Sequence, residues 1–399
     1  MKEEKKLVPK LRFPEFRRTE GWGDGQVADI AVSESSSLAL NKLMLKSEGF
    51  PVYGADSCVG FIDSFDQADD YIAIVKDGSG VGRLTLKKGE SSILSTLAYI
   101  KCKPGTKNLL TWLYYCLSSL DLRHFIKGSG IPHIYFSDYG SHRALIPSPL
   151  EQQKIADCLS SLDELIAAQA HKVDALKTHK KGLMQQLFPR EGETQPRLRF
   201  PEFRDAGEWE RQTVEDFGRV VTGNTPSTAQ PAFYGGGIPF VSPADISDLR
   251  FVNETKTTLT TDGFAETRHI RAGSTLFVCI GSTIGKVAQN IRDCATNQQI
   301  NAVVPSPKHS DGFVYFALSF ASGRIALLAG KQAVPIINKS LFSSVQLLVP
   351  QLPEQQRIAD CLSSLDALIF AATQELEDLQ THKKGLMQQL FPALDETPK

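Results

Sequence analysis

A glycine-rich loop in the second half of the chain has residue types that bind phosphate groups. It reads Gly281-Ser-Thr-Ile-Gly-Lys286, and Val287 follows it. A nucleotide-binding loop needs four residues between its glycines and a hydroxyl-bearing residue after the lysine to hold magnesium. Both requirements fail, so the spacing argues against a nucleotide site. A tight glycine turn that presents Lys286 is the simpler interpretation, and contact with a nucleic-acid phosphate is the more specific one.

The rest of the chain has no pattern typical of a catalytic or metal site. It lacks an Asn-Pro-Pro-Tyr methyltransferase motif, and the nuclease-like spacing of Glu254-Thr-Lys256 has no preceding acidic partner. The eight histidines show no metal-ligand spacing, and the seven cysteines form no Cys-x-x-Cys pair. We therefore expect a non-catalytic protein without a metal site, whose cysteines are free thiols in a reducing cytoplasm.

Length and composition indicate a globular protein of two or more domains, since the chain has 399 residues with 41% hydrophobic and 22% charged side chains. No apolar run approaches the roughly 18 residues that span a bilayer, so no membrane association is expected. The charged N-terminus does not resemble a secretory signal. The net charge of −1 is unusual for a nucleic-acid binder, which commonly carries a basic surface.

The elements that must position any functional residue come in two copies. Residues 151–189 and 354–392 are identical at 28 of 39 positions with an offset of 203. A second repeat has an offset of 187, because Leu11-Arg-Phe-Pro-Glu-Phe16 returns at 198–203. Each long repeat ends in Leu-Phe-Pro, and the segment expected after the second copy stands at the N-terminus. This circular order indicates a pseudo-two-fold molecule with neighbouring termini.

The long repeats have the apolar spacing of coiled-coil helices, with steps that alternate between four and three residues. Each predicted helix covers about 33 residues, or about 50 Å. The predicted apolar seam consists of Ile155, Leu159, Leu162, Ile166, Val173, Leu176, Leu183 and Leu187 in the first helix and Ile358, Leu362, Leu365, Ile369, Leu376, Leu379, Leu386 and Leu390 in the second.

A narrow stripe of this kind needs one partner helix, and the other copy is the only equivalent stripe in the chain. A pseudo-dyad perpendicular to the helices would make the pair antiparallel, although the spacing alone does not prove this. Lys180 and Lys383 interrupt the seam at equivalent positions. The favoured interpretation is that each aliphatic stem lies along the seam with its ammonium group in water. The alternative is a polar pair that fixes the helix register, or a contact with a partner.

The regions before the two helices read as mixed α+β domains. Short β-rich runs are interrupted by glycine turns, and a helix follows at about 109–125 in the first region and about 312–328 in the second. Residues 23–130 and 210–333 share little sequence that aligns by eye. The two domains are therefore expected to share a mixed α+β architecture but to recognise different ligands.

With this order of variable region, helix, variable region and helix, the whole chain resembles the specificity subunit of a type I restriction–modification system. The segments that carry the resemblance are Gly223–Ser227, Gly237–Asp245, Cys279–Lys286, Thr296–Ile300, Tyr53–Ala55, Asp77–Ser79 and the Glu-Gln-Gln starts of both helices. The resemblance implies an α+β fold in which two α/β target-recognition domains are joined by two long helices that form an antiparallel coiled coil, with a pseudo-two-fold repeat. The implied boundaries are a first target-recognition domain at 1–150, a first spacer helix at 151–189, a linker and second domain at 190–350, a second spacer helix at 351–392 and a tail at 393–399.

The same resemblance implies a function. Each domain would read one half of a split, asymmetric sequence in double-stranded DNA, and the helices would hold the two readers apart. Two methyltransferase subunits and motor–nuclease subunits would be the protein partners. The chain itself would bind no cofactor, while S-adenosylmethionine, ATP and Mg²⁺ would act on the other subunits. The alternative is a coiled-coil adaptor whose variable domains bind something other than DNA.

Side chains that can donate to base edges or phosphates are the candidates for DNA contact. In the first domain the candidates are Tyr53, Lys76, Ser79, Arg83, Lys127, His133 and Tyr135. In the second domain they are Thr225, Ser227, Lys286, Asn297, Gln298, Lys331, Asn338 and Lys339.

Overall fold

The computed structural model describes residues 8–330 and 334–391, so the predicted tail at 393–399 and the candidate Lys331 lie outside the described residues. The chain divides into two compact units. Unit 1 consists of residues 1–168 and 376–399, and unit 2 consists of residues 169–375. Both boundaries fall inside a long helix, so each unit contains part of both helices. The expected α+β fold with two long paired helices is confirmed.

The long helices span Pro149–Leu187 and Leu352–Leu390, with 39 residues each, which is about 58 Å at 1.5 Å per residue. The first helix starts two residues before the position expected from the repeat. Pro149 occupies its first turn, where a missing backbone N–H costs no hydrogen bond. It is therefore part of the helix.

The helices pack in antiparallel fashion within each unit. All the predicted seam positions are buried or half-buried. In unit 2 the Gln169 side chain donates to the Ala372 carbonyl at 2.9 Å, and Lys180 reaches Asp366 further toward the start of the second helix. In unit 1 Ile155 and Leu159 share a core with Leu386 and Leu390 of the other helix.

The two seam lysines form ion pairs across the helices. Lys180 Nζ lies 2.5 Å from Asp366 Oδ1, and Lys383 Nζ lies 2.5 Å from Asp163 Oδ1. The lysine side chains are only 18% and 20% exposed. The favoured interpretation, an ammonium group held in water, is therefore wrong. The structure instead has polar pairs between the helices, as in the alternative interpretation.

The short repeated segment joins the two helices at each end of the pair. In unit 1 Leu11 N donates to Gln389 O at 3.0 Å, while Arg12 forms an ion pair with the buried Glu151 at 2.8 Å. The equivalent residues in unit 2 make the same two contacts: Leu198 N donates to Gln186 O at 2.9 Å and Arg199 pairs with Glu354 at 2.7 Å. The N-terminal segment thus lies against the end of the second helix, which explains the circular order of the repeats.

Unit 1 contains a four-stranded sheet, a three-stranded sheet and one separate pair of strands. The four-stranded antiparallel sheet has the order Ala31–Ser35, Leu97–Cys102, Tyr71–Val75 and Leu84–Lys87. The three-stranded sheet has the order Cys58–Ile62, Phe50–Tyr53 and Ser92–Ile93. Strands Gly23–Gln26 and Arg143–Ile146 pair separately, and the helices outside the long pair are Val27–Ile30, Leu110–Ser119 and Phe136–Tyr139.

Unit 2 repeats this topology with one additional strand. Its larger sheet has the order Gly218–Thr222, Ile300–Pro305, Thr275–Val278, Val287–Asn290 and Phe251–Val252. Its smaller sheet has the order Thr257–Leu259, Tyr234–Val241 and Ala295–Thr296, and a third pair joins Glu210–Thr213 to Gln346–Val349. The shorter helices are Thr261–Ala265, Asp311–Ala326 and Lys339–Ser343. The two domains therefore share an architecture although their sequences do not align by eye.

One helical stretch of unit 2, Asp311–Ala329, is long and apolar enough to cross a membrane by composition, with a mean hydropathy of 1.5. Half of this stretch is buried. Phe313, Phe316 and Leu318 have no exposed surface and belong to the core that also includes Ile358 and Leu362 of the second long helix. Packing within the domain accounts for the apolar composition of this stretch. Ser319 and Arg324 interrupt it, so it is not a continuous apolar run.

Removal of one buried ion-pair partner should destabilise unit 1. Arg12→Ala leaves the Glu151 carboxylate, which is 1% exposed, without its cation. We expect a loss of about 3 kcal/mol in unfolding free energy, because an uncompensated buried charge is strongly unfavourable. Chemical denaturation monitored by circular dichroism measures this loss. Lys46→Ala is the matched control in unit 1, since Lys46 and Asp63 form an exposed pair and its removal should leave the unfolding midpoint unchanged. Equal effects of the two substitutions would contradict this assignment.

Candidate nucleic-acid interface

The same glycine loop occurs in both units. It reads Gly-Ser-x-x-Gly-Arg at 78–83 and Gly-Ser-x-x-Gly-Lys at 281–286. In unit 1 Val75 N donates to Arg83 O at 3.0 Å, and in unit 2 Val278 N donates to Lys286 O at 2.9 Å. The first glycine of each loop has φ of 86° and 97°, a left-handed conformation that favours glycine. Arg83 and Lys286 therefore occupy equivalent positions at the end of one kind of turn.

A second segment is held against each glycine loop by matching backbone hydrogen bonds. Gly78 N donates to Pro132 O at 2.9 Å, and Ile134 N donates to Lys76 O at 2.9 Å. The unit 2 bonds are Gly281 N to Pro335 O at 3.0 Å and Ile337 N to Cys279 O at 2.8 Å. Ile134 and Ile337 are each 1% exposed, so their side chains anchor these segments in the cores.

These contacts bring most of the predicted DNA-binding residues together. We call residues 53–57, 76–83 and 127–135 the first loop cluster, which contains all seven candidates of the first domain. Residues 223–227, 279–286, 297–299 and 334–338 form the second loop cluster, which contains Thr225, Ser227, Lys286, Asn297, Gln298 and Asn338. Lys339 follows directly as the first residue of a short helix. Whether any of these side chains contacts DNA remains a prediction.

Acidic residues of the same domain accompany the cations of the first loop cluster. Arg83 donates to Asp56 Oδ1 at 2.6 Å and to the Ala55 carbonyl at 2.7 Å. Lys127 pairs with Asp138, and the hydrogen bond from this lysine is the main reason that the pKa of the Asp138 carboxyl is lowered. Lys76 lies 3.8 Å from Asp77. The cluster therefore presents oriented donors and little excess positive charge.

Polar side chains of the second loop cluster are also fixed within their domain. Lys286 Nζ donates to Ile246 O at 3.0 Å, and Thr225 donates to Gln298 at 3.0 Å. Asn297 donates to Gln299 at 2.9 Å, and the Asn338 side chain accepts from Leu341 N at 2.8 Å as a helix cap. These bonds hold the side chains in defined positions.

The aromatic rings of the first loop cluster make close contacts, and the Cys279 thiol of the second loop cluster is buried. The Lys87 ammonium lies 3.9 Å from the centre of the Tyr53 ring, and burial lowers the pKa of this lysine. The His133 and Tyr135 rings lie 5.2 Å apart. Burial raises the pKa of Cys279 to about 12, so its thiol stays protonated at neutral pH. Among the described residues no group of three His, Cys, Asp or Glu side chains could hold a metal ion.

One candidate residue, Ser282, was missed in the sequence. Ser79 was named for the first domain, but its equivalent Ser282 was not named for the second. The signal was present, because Gly78-Ser79 and Gly281-Ser282 are separated by the same 203 residues as the helices. The first strands of the two domains are related by a different offset, 187. An alignment that starts from these strands does not place the two glycine loops opposite each other.

The chain thus consists of two copies of one domain, and each copy is followed by a copy of one long helix. The two domains have different loop clusters, which is typical of a protein with two recognition domains. The chain belongs to the family of the type I restriction modification DNA specificity domain, whose sequence model matches residues 19–178 and 206–380. The resemblance seen in the sequence is therefore confirmed.

Several characterised relatives are specificity subunits of type I restriction enzymes. The EcoR124I/EcoR124II subunit of Escherichia coli is 29% identical over 71% of this chain and 69% of its own length. The MjaVIII subunit of Methanocaldococcus jannaschii is 25% identical over 80% of this chain and 78% of its own length. The HindI subunit of Haemophilus influenzae is 31% identical, but the match spans 36% of this chain and only 32% of that relative.

Solved structures show the same fold. The S subunit of a type I restriction–modification system from M. genitalium matches 97% of this chain and 100% of its own length, with a TM-score of 0.68 and 16% identity. A chain from a study of complex assembly in the type I restriction–modification system matches 94% of this chain and 98% of its own length, with a TM-score of 0.53 and 15% identity.

A side chain at Gly78, which has a left-handed conformation in the first loop cluster, should reduce stability. Gly78→Ala places a methyl group in open space, so its cost comes only from φ of 86°. We expect a loss of about 1 kcal/mol in unfolding free energy, measured by chemical denaturation. Gly130→Ala is the control, because its new methyl group also meets nothing and its φ is not left-handed. The conformational argument fails if both variants lose the same stability.

Proposed function

We propose that this chain is the DNA-reading subunit of a type I restriction–modification complex. The observation that carries the proposal is the repetition of one loop scaffold with different exposed side chains. Arg83 and Lys286 are both cations at equivalent positions, whereas His133 and Ile336 or Tyr135 and Asn338 differ in chemistry. Shared cations suit the phosphate backbone, which is the same in every sequence, and unlike side chains suit different base edges.

Each domain would then read its own half of a split target in double-stranded DNA. The first loop cluster offers aromatic and imidazole groups, and the second offers amide and hydroxyl groups. Amides suit adenine, hydroxyls accept or donate to either base type, and arginine or lysine suits guanine. Because the two sets differ, the two half-sites should differ in sequence.

The charge distribution supports a division of labour between subunits. Residues 23–150 have a net charge of −1 and residues 210–353 have +2. Non-specific affinity for DNA depends on the number of phosphates that cations neutralise, so this chain alone should bind random duplex weakly. We infer that methyltransferase partners supply most of the backbone contacts while this chain selects the sequence.

The remaining parts of the proposal follow from family membership. The chain would act without catalysis of its own in the cytoplasm, bound to two methyltransferase subunits and to motor–nuclease subunits. It would need no cofactor, since S-adenosylmethionine, ATP and Mg²⁺ would bind to those partners. The relatives described above give no support to the alternative of a coiled-coil adaptor that binds a non-DNA ligand.

Exchange of one domain tests the proposal directly. Residues 23–130 are replaced by the corresponding region of a relative with a different target, and methylated positions are mapped in DNA from cells that express the complex. We expect one half of the methylated sequence to change while the other half stays the same. Exchange of residues 210–333 is the matched experiment and should change the other half only. Methylation that is independent of both exchanges would exclude a role in DNA recognition.

Removal of the shared cations should weaken binding in a salt-dependent way. Arg83→Gln and Lys286→Gln each remove one charge from a glycine loop. If each cation contacts a phosphate, affinity should fall for all sequences and the slope of log affinity against log salt should decrease by about 1. Fluorescence anisotropy titrations of the assembled complex over a range of salt concentrations measure the slope. Lys88→Gln is the control, since Lys88 is an exposed cation outside the first loop cluster. An unchanged slope for both loop variants would contradict phosphate contact.

A further inference from the structure

An exposed branched aliphatic side chain stands at the same position in each loop cluster. Ile131 is 72% exposed and Val334 is 61% exposed. They are separated by 203 residues, and each directly precedes the proline whose carbonyl accepts from the glycine loop. Ile131 and Val334 are therefore both branched aliphatic residues, whereas other equivalent residues of the two domains, such as His133 and Ile336, differ in chemistry.

The backbone next to these side chains is held in place. The carbonyls of Pro132 and Pro335 accept hydrogen bonds from Gly78 and Gly281 at 2.9 and 3.0 Å. In the first domain, Lys127 and His133 also exchange two backbone hydrogen bonds of 2.9 and 2.8 Å, so Ile131 lies in the closed turn between them. Each of these aliphatic groups is exposed next to a hydrogen-bonded backbone, so it contributes little to a core and is accessible to a ligand.

The neighbouring groups indicate which ligand could bury it. Ile131 shares the first loop cluster with Arg83, Lys127 and His133, all of which can donate to phosphates or base edges. The 5-methyl group of thymine is the apolar feature that the DNA major groove presents among such polar groups. A branched aliphatic side chain is complementary to that methyl group. It has no hydrogen-bonding group with which to recognise the polar edges of the other bases.

We propose that Ile131 and Val334 are specificity-determining residues, each of which contacts the 5-methyl group of a thymine in its half-site. This inference rests on the proposed function. Since the same kind of side chain occupies the same position in both domains, each half-site should contain one such thymine. The two thymines should lie at equivalent positions within their half-sites.

Uracil substitution tests the contact, because uracil differs from thymine only by the missing methyl group. The full chain, assembled with its methyltransferase partners, is titrated against a short duplex that carries the mapped target. Thymines of the target are replaced one at a time by uracil. We expect one replacement in each half-site to weaken binding about fourfold, the effect of one buried methyl group.

Protein variants assign each thymine to its side chain. In Ile131→Ala the sensitive thymine of the first half-site should become insensitive to uracil replacement, while that of the second half-site stays sensitive. Val334→Ala should show the reverse pattern, and Ile131→Val should retain sensitivity. Met44→Ala is the control, since Met44 is 84% exposed in unit 1 but lies outside the first loop cluster. Thermal unfolding of each variant checks that the domain remains folded.

Three results would overturn the inference while leaving the proposed function intact. The first is a target in which no thymine is sensitive to uracil, and the second is a sensitivity that Ile131→Ala and Val334→Ala do not change. The third concerns a target duplex that carries the fluorescent base 2-aminopurine. If its fluorescence increases on binding, if Ile131→Ala abolishes that increase, and if no thymine is sensitive to uracil, the side chain inserts as a wedge between base steps. Failure to bind a split target at all would instead refute the proposed function.

Discussion

The arrangement of charges within the helix seams determines how the two long helices pair. The repeats place a lysine at equivalent positions, 180 and 383, and an aspartate at 163 and 366. A parallel pair in register would bring lysine against lysine and aspartate against aspartate, which is unfavourable in a partly buried seam. The antiparallel pair brings each lysine to the opposite aspartate at 2.5 Å. Apolar burial drives the association, and these two ion pairs select its direction and register.

The same aspartates connect the helix pair to the recognition domains, by different means in the two units. In unit 1 the Tyr115 hydroxyl donates to Asp163 Oδ2 at 2.7 Å. In unit 2 Arg250, which is stacked against Phe316, donates to Ser363 at 2.6 Å and lies 3.6 Å from Asp366. Burial lowers the pKa of Arg250, an effect that the Asp366 charge opposes. Each domain is thus oriented by a polar contact to the residue that also fixes helix register.

Much of the fold could be predicted because repeats and heptads are directly visible in the sequence. The helix direction could also have been derived, had the lysines been considered together with the aspartates that they oppose. The shared domain architecture was harder to see. The offset between the two domains changes from 187 at the first strand of each larger sheet to 203 at Tyr71–Val75, because the second domain has additional residues around Phe251–Val252. Buried positions tolerate many apolar residues, so they leave little identity to align.

The role of the individual loop residues is the part that could not be predicted from the sequence, and the loop geometry explains why. Tyr135 and Asn338 have extended backbone conformations, and successive side chains of an extended segment point in opposite directions. The central position is a buried isoleucine in both domains. Its neighbours are the half-buried His133 and the exposed Tyr135 in one domain and the exposed Ile336 and Asn338 in the other. Exchange of an exposed side chain costs little stability, so these positions can diverge freely while the scaffold persists. Folding therefore places few constraints on these positions, which is why the pattern of the sequence does not specify their role.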